Sequence, residues 1–411
     1  MKNHFILLIL LALICGLSCE RDLNTESEMV RPGSVYSVSP NDVIEVAQNF
    51  CSKTLQRVRS DSEASSKNSI LSLRDGETPF AFIVNFSDDG FVIISADRRM
   101  NPVLAYSEEG SIDTDSSNYP AGFSIWLDEI KSDFNSIQEG NYDEEIALKN
   151  SLMWDKILQR IEFRSIPVDT SLPELVDTMV GPLLSTTWYQ GVPFNNYLPP
   201  LYNASGFQVL SNRLAGSPTV TIARLLHFHQ NPTTFSWSSM PLSISANDTT
   251  SYSSLFGLYY DIYSKINSFA GFYCDSLQTI VNEVFHLDTF LKTQYGFSLA
   301  TQINYSPHVN YSIVSDELLN HLRPVIFTGE TNPSTWEREY WICDGAHEFE
   351  DVIYLENGHA VINCHLYFHE SWMTYRFPPM WLGFGLFTAG YSHSTPISFS
   401  KKMRLVYQIT P

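Results

Sequence analysis

Positive charge is the scarcest feature of this sequence. Lys and Arg total 25 of 411 residues against 45 Asp and Glu, a formal net charge of −20. Such a surface repels phosphate backbones, and no basic run with interleaved aromatics appears, so nucleic acid is excluded as a partner. Cysteine is sparse too: six residues, at 15, 19, 51, 274, 343 and 364, with no Cys-x-x-Cys spacing. That excludes an ordinary zinc site, and neither a metal nor a cofactor is expected. Repeats and long low-complexity tracts are missing as well. Hydrophobic residues at 44% and aromatics at 13% exclude a disordered chain and leave room for two or three packed domains.

The first residues depart from this composition. MKNHFILLILLALICGLSC has a basic Lys2, an apolar stretch from Phe5 to Leu17 and small residues ending at Cys19. It is too short and too early for a membrane span and reads as an export signal over 1–19. Gly16-Leu17-Ser18-Cys19 resembles a bacterial lipoprotein cleavage box, with Cys19 as the lipid-bearing residue. Acyl chains there imply a protein held at the cell envelope or outer surface, with membrane contact through the anchor only; without them the chain is secreted.

Residues 20–36 are polar and tether-like. An α+β unit is expected over 37–140. Ser39-Pro40-Asn41-Asp42 opens a helical pattern to Leu55. PFAFIVNF and FVIISAD flank the turn SDDG as a hairpin, PVLAYSEEG adds a strand, and Phe123–Ile137 is an amphipathic helix. A charged helical linker fills 141–179, and a second unit spans 180–411. It contains LAGSPTVTIARLLHFHQNP, in which Ser217-Pro218 opens an apolar helix.

These segments resemble a known family. GFVIISADRRMNPVLAYSEEG is similar to the Spi-type prodomain that precedes streptopain-like cysteine peptidases. GPLLSTTWYQGVPFN, AGSPTVTIARLLHFHQNP, FSWSSMP, LRPVIFTGE, YWICDG and MRLVYQITP follow in the order of the papain-like peptidase itself. The resemblance implies an α+β chain, a papain-like fold behind a small α+β prodomain. It also implies an oxyanion-hole glutamine at Gln190, a nucleophile at 217, a base at 339, an orienting residue at 371 and a tryptophan at Trp372. The family carries Cys, His and Asn at the middle three positions; here they are Ser217, Glu339 and Ser371.

The chemistry makes those replacements costly. A thiol ionises near pH ~8.5, and a helix N-terminus with an imidazolium lowers that to roughly 3–4. A hydroxyl gains about 1–2 kcal/mol at best from the same dipole and needs a base poised near neutrality. An exposed glutamate, with a pKa of ~4.3, is a weak base whose charge opposes an oxyanion. The expectation is therefore an inactive peptidase homologue.

Ser217 also has a structural reading, as an N-cap with Pro218 at the first helical position. A rescue is open: Gly358-His359-Ala360 is also similar to the family's Gly-His-Ala, which would pair Ser217 with His359. The bland reading of His359 is a hairpin residue after the Asn357-Gly358 turn. His229 reads as packing, as do Trp188, Trp237 and Trp341. His365 and His369 fall in a β-like run, and Cys274 lacks a preceding oxyanion segment. Cys343 and Cys364 are either cross-linked or free and buried. The implied partners are a polypeptide substrate or a related peptidase, the latter through the N-terminal unit acting as an inhibitor.

Overall fold

The structure, a computed structural model, describes residues 36–54, 68–87, 89–116, 119–159, 176–202, 205–245, 248, 250–270, 285–305, 307–332, 337–354, 360–372, 377–383 and 403–411. Cys19, Cys274 and His359 lie outside these residues. Residues 38–411 form one compact unit.

Helix α1 (Pro40–Thr54) starts at a reciprocal cap: the Asp42 N–H donates to Ser39 Oγ at 3.2 Å and the Ser39 N–H to Asp42 Oδ2 at 3.4 Å. Strands β1 (Ser69–Asp75), β2 (Thr78–Asn85), β3 (Phe91–Ser95) and β4 (Val103–Ser107) form an antiparallel meander. Every residue of β3 and β4 is buried, because both faces of the meander are covered there. Helices α2 (Ala121–Gln138) and α3 (Glu144–Ile157) follow, the latter capped by the Asp143 carboxylate, which accepts the N–H groups of Glu145 and Ile146.

After β5 (Asp177–Val180) and a short hairpin, β6 (Leu201–Tyr202) with β7 (Gln208–Leu210), come α4 (Ser217–His229), α5 (Ser253–Ala270) and α6 (Leu287–Tyr295). The remaining elements are β8 (Leu299–Asn304), α7 (Pro307–Leu319), β9 (Val325–Asn332), β10 (Glu337–Tyr354), β11 (Ala360–Ser371), β12 (Met380–Gly383) and β13 (Arg404–Thr410). One sheet runs β1-β2-β3-β4-β12-β11-β10-β9-β13-β8, with β5 added on β10. The join is β12, which pairs β11 on one side and β4 on the other, with Ala105 opposite Leu382 and Tyr106 opposite Trp381.

Alternation along β10 divides two cores. Tyr340 and Ile342 belong to a core with α4 and α5; Trp341 and Cys343 belong to the other, with α2 and the N-terminal strands. Glu339 shares the parity of Trp341. Helix α2 lies so close to the sheet that only glycine fits at the contacts. A Cβ on Gly122 would stand 2.6 Å from Trp341 Cε2 and Trp372 Nε1, and one on Gly329 would meet Ile125. The junction is polar as well as apolar: Tyr367 Oη donates to the Val103 carbonyl at 2.9 Å, and Ser107 Oγ to the Pro379 carbonyl at 2.8 Å.

Cys343 is free and buried. The ladder sets Cys343 opposite Glu370 and Cys364 opposite Glu350, so the two cysteines are separated along the hairpin by on the order of 20 Å at strand rise. A cross-link between them is excluded.

Candidate functional site

The helix start differs from the capping expectation. Gly216, at φ 79° and ψ 151°, is the N-cap, Ser217 is the first helical residue, and no side chain caps the helix. The positive φ requires glycine and turns the chain so that the Ser217 side chain leaves the helix toward β10. There Ser217 Oγ accepts the main-chain N–H of Tyr340 at 3.0 Å, in a buried setting. That is the hydrogen bond Ser217 makes among the described residues.

Gln190 is brought to the same place by main chain, its carbonyl accepting the Ala215 N–H at 2.9 Å. Its side chain is half-buried. Glu339, also half-buried, precedes the Tyr340 that engages Ser217 and stands opposite Gly329 across the ladder. Gln190 thus holds the chain two residues before Ser217, and Ser217 holds the residue that follows Glu339.

Ser371 is placed elsewhere. It stands opposite Ile342, and its Oγ accepts from Arg224 Nη1 at 2.9 Å. Arg224 sits two turns into α4, about 10 Å along the axis from Ser217. Its Nε donates to Thr186 Oγ1 at 3.2 Å. Burial pushes the Arg224 pKa down, against the pull of the nearby Asp344 charge. Trp372 is buried, and its indole N–H has no hydrogen-bond partner among the described residues.

A rigid polar frame surrounds this region. Asp344, fully buried, meets His369 Nδ1 at 2.7 Å and accepts the Leu184 N–H at 3.0 Å, while its carbonyl accepts the Leu183 N–H. Glu370 Oε2 accepts from Trp341 Nε1 at 2.8 Å, and burial raises its carboxyl to about 8. His229, whose ring packs on Phe228 and Phe297, is lowered to about 4 by burial first and by the Arg323 charge second. Trp188, Trp237 and Trp341 are all buried. His365 stacks on Phe349, and among the described residues no group of three His, Cys, Asp or Glu side chains is placed to hold a metal ion.

His359 lies outside the described residues; the residue after it, Ala360, pairs with Tyr354 at the far end of β10 from Tyr340.

Beside α4 opens a cleft of about 620 Å³, lined by Thr186–Tyr189, Arg224, Ser371 and Trp372 from one side and by loop residues Asp89 and Glu109 from the other. Sequence reasoning missed Arg224, Glu370 and Asp344. The signal for Arg224 was there: a lone guanidinium inside TVTIARLL, where an apolar helix predicts burial and burial demands partners.

Comparison with known proteins matches the geometry at the level of fold. Residues 36–134 match the family model described as Spi protease inhibitor. No curated protein matches the chain in sequence. The fold is similar to that of a cysteine-to-alanine mutant fragment of Prevotella intermedia prointerpain A, with a TM-score of 0.54 and 17% identity over 84% of this chain and 99% of that one. Active wild-type Prevotella intermedia interpain A cysteine protease matches with a TM-score of 0.39 and 17% identity over 57% of this chain and 96% of that one. The chain thus carries a Spi protease inhibitor domain within an α+β fold similar to that of a prodomain-bearing cysteine protease.

Proposed function

We propose that this chain is a peptidase homologue that does not hydrolyse peptide bonds and uses its cleft to bind polypeptide. The observation that carries the reading is the partner of Ser217. A serine nucleophile needs a base within hydrogen-bond reach to take its proton during attack. Ser217 instead accepts a main-chain N–H, which ties up a lone pair and removes no proton. The residue beside that contact is Glu339, and Ser371 is engaged by Arg224, not by an imidazole. Loss of two members of a coupled catalytic set removes nearly all turnover. Peptide binding needs no nucleophile, because main-chain pairing and side-chain pockets suffice.

Labelling with a serine-directed fluorophosphonate tests the reading. No adduct at Ser217 is expected under conditions that label a serine peptidase fully; stoichiometric labelling of Ser217 overturns it.

The Spi match supports a relation to peptidases, and inhibition of a related enzyme is the second reading. Against it, β4 is already paired with β12, and α2 is seated on Trp341 and Trp372 of the same chain. The N-terminal unit is committed in cis. Unchanged turnover of a streptopain-like peptidase in the presence of micromolar full chain is the expected result. Export with lipidation at Cys19 belongs to the proposal on sequence grounds alone, and metabolic labelling with palmitate tests it: Cys19→Ala is expected to abolish incorporation.

A further inference from the structure

Charge is missing from one part of this acidic chain. Residues 191–212 hold no Asp, Glu, Lys, Arg or His, although Asp, Glu, Lys and Arg make up 17% of the whole chain. They form the excursion that carries the β6–β7 hairpin, and its base is held by hydrogen bonds. The Arg213 N–H donates to the Pro199 carbonyl at 3.0 Å, and Asn212 Nδ2 donates to the Asn196 and Leu198 carbonyls at 3.0 and 2.9 Å. Tyr197 packs edge-on against Phe256 of α5. From this base the hairpin presents apolar side chains outward: Phe207 is 71% exposed, Tyr202 54% and Val209 52%. A Cβ on Gly206, at the turn, would meet nothing within 4 Å. The hairpin is a two-stranded sheet of its own, so among the described residues β7 has a ladder partner on one edge only. No lysine or proline within β7 blunts the other edge.

We propose that two copies of this chain associate through the hairpin about a two-fold axis, with the outer edge of β7 set antiparallel against its own copy. The occupant follows from charge. Each copy carries a formal net charge of −20, and that repulsion opposes self-association wherever carboxylates would face each other. The 191–212 excursion brings none to the contact. A basic partner would gain nothing from a face without carboxylates and would be drawn to the rest of the surface. Few charges and many aromatics are also the composition of an interface core. An open strand edge offers main-chain N–H and C=O groups, and the same strand turned about a two-fold axis supplies their complements. Aromatic side chains contribute about 150–250 Å² each, so Tyr197, Tyr202 and Phe207, with Val192 and Val209, supply a large share of the ~800 Å² that each partner of a stable pair buries.

Sedimentation velocity of the purified chain over a range of concentrations tests this. A reversible monomer–dimer equilibrium is expected, with a dissociation constant below about 10 μM. Phe207→Glu is expected to weaken it by about 30-fold or more, the loss typical of an aromatic anchor. Should that variant fail to fold, substitutions at the exposed Val209 carry the test. Val209→Lys and Val209→Glu, each alone, set like charges against each other beside the axis and are expected to be monomeric. Mixed in equal amounts, the two are expected to pair at least about tenfold more tightly than either pairs with itself, which only a surface that faces its own copy produces. A chain that stays monomeric up to about 100 μM overturns the proposal, whether or not that monomer binds neutral lipid vesicles or a polysaccharide through the hairpin. Dimers that persist unchanged in Phe207→Glu and in both Val209 variants overturn it as well, because they form through another surface.

Discussion

Ser217 and Tyr340 are joined by a single hydrogen bond, side-chain oxygen to main-chain N–H, at 3.0 Å. It ties the first turn of α4 to the strand position immediately after Glu339. The hydroxyl is thus a structural acceptor. Ser217→Ala is expected to leave a buried N–H without a partner and to lower stability by about 1–3 kcal/mol, measured by urea unfolding. No change in stability would show that the contact is not maintained in solution.

Burial of two carboxyl groups on α2, Glu129 and Asp133, and of Glu370 on β11 gives the stability a sign with pH. Glu370 and Glu129 are raised to about 8 and Asp133 to about 7, with desolvation the largest cause in each. Glu129 Oε1 and Tyr305 Oη are sealed from solvent without hydrogen-bond partners among the described residues. The charges that oppose ionisation of Glu129 are those of Asp133, Glu370 and Asp128. Folded-state pKa values above unfolded ones mean that the folded protein holds extra protons. Their stabilisation is fully present below about pH 4 and is lost as pH rises through about 7–8. Denaturation midpoints should therefore fall between about pH 5 and 9, and Glu129→Gln with Glu370→Gln should flatten that slope. A midpoint that rises with pH over this range contradicts the account.

Asp344 holds three segments together, and its removal should be among the most damaging single changes. Asp344→Ala strips partners from His369 and from the Leu184 N–H in a fully buried setting. A cost of about 3–5 kcal/mol is expected by chemical denaturation, and less for Asp344→Asn, which keeps an acceptor. A cost below about 1 kcal/mol would mean that the frame around Arg224 is not rigid.

The shared sheet predicts cooperative unfolding of the N-terminal unit with the rest. Tyr106 Oη lies 3.0 Å from His347 Nδ1, and His347 Nε2 lies 3.2 Å from Asp177 Oδ1, bridging β4, β10 and β5. Tryptophan fluorescence and far-ultraviolet dichroism should report one coincident transition. Tyr106→Phe should shift that transition by about 1 kcal/mol without splitting it. Two separated transitions would show independent units.

Local features were legible in the sequence because local chemistry specifies them. Ser39 and Asp42 announced α1, the SDDG turn announced the β2–β3 hairpin, and apolar spacing announced α2. The order of peptidase-like segments anticipated the fold. The join between the halves was not legible, because β12 is four residues long and pairs across a sequence separation of some 275 residues. The same non-locality hid the site's true contacts. Ser217 read as a cap because serine before proline satisfies local rules, whereas Gly216 takes the cap and β10 takes the hydroxyl. Glu370 and Arg224 gave only the weak signal of charge within buried runs, and their partners are non-local, Trp341 on the adjacent strand 29 residues away and Ser371 147 residues away.

The most direct test is the hydrolysis of fluorescently labelled casein by the purified full chain and by Ser217→Ala, prepared in parallel. Rates indistinguishable from buffer, or from each other, are expected. A reproducible rate in the wild-type chain that disappears in Ser217→Ala would contradict the claim that this site no longer cuts.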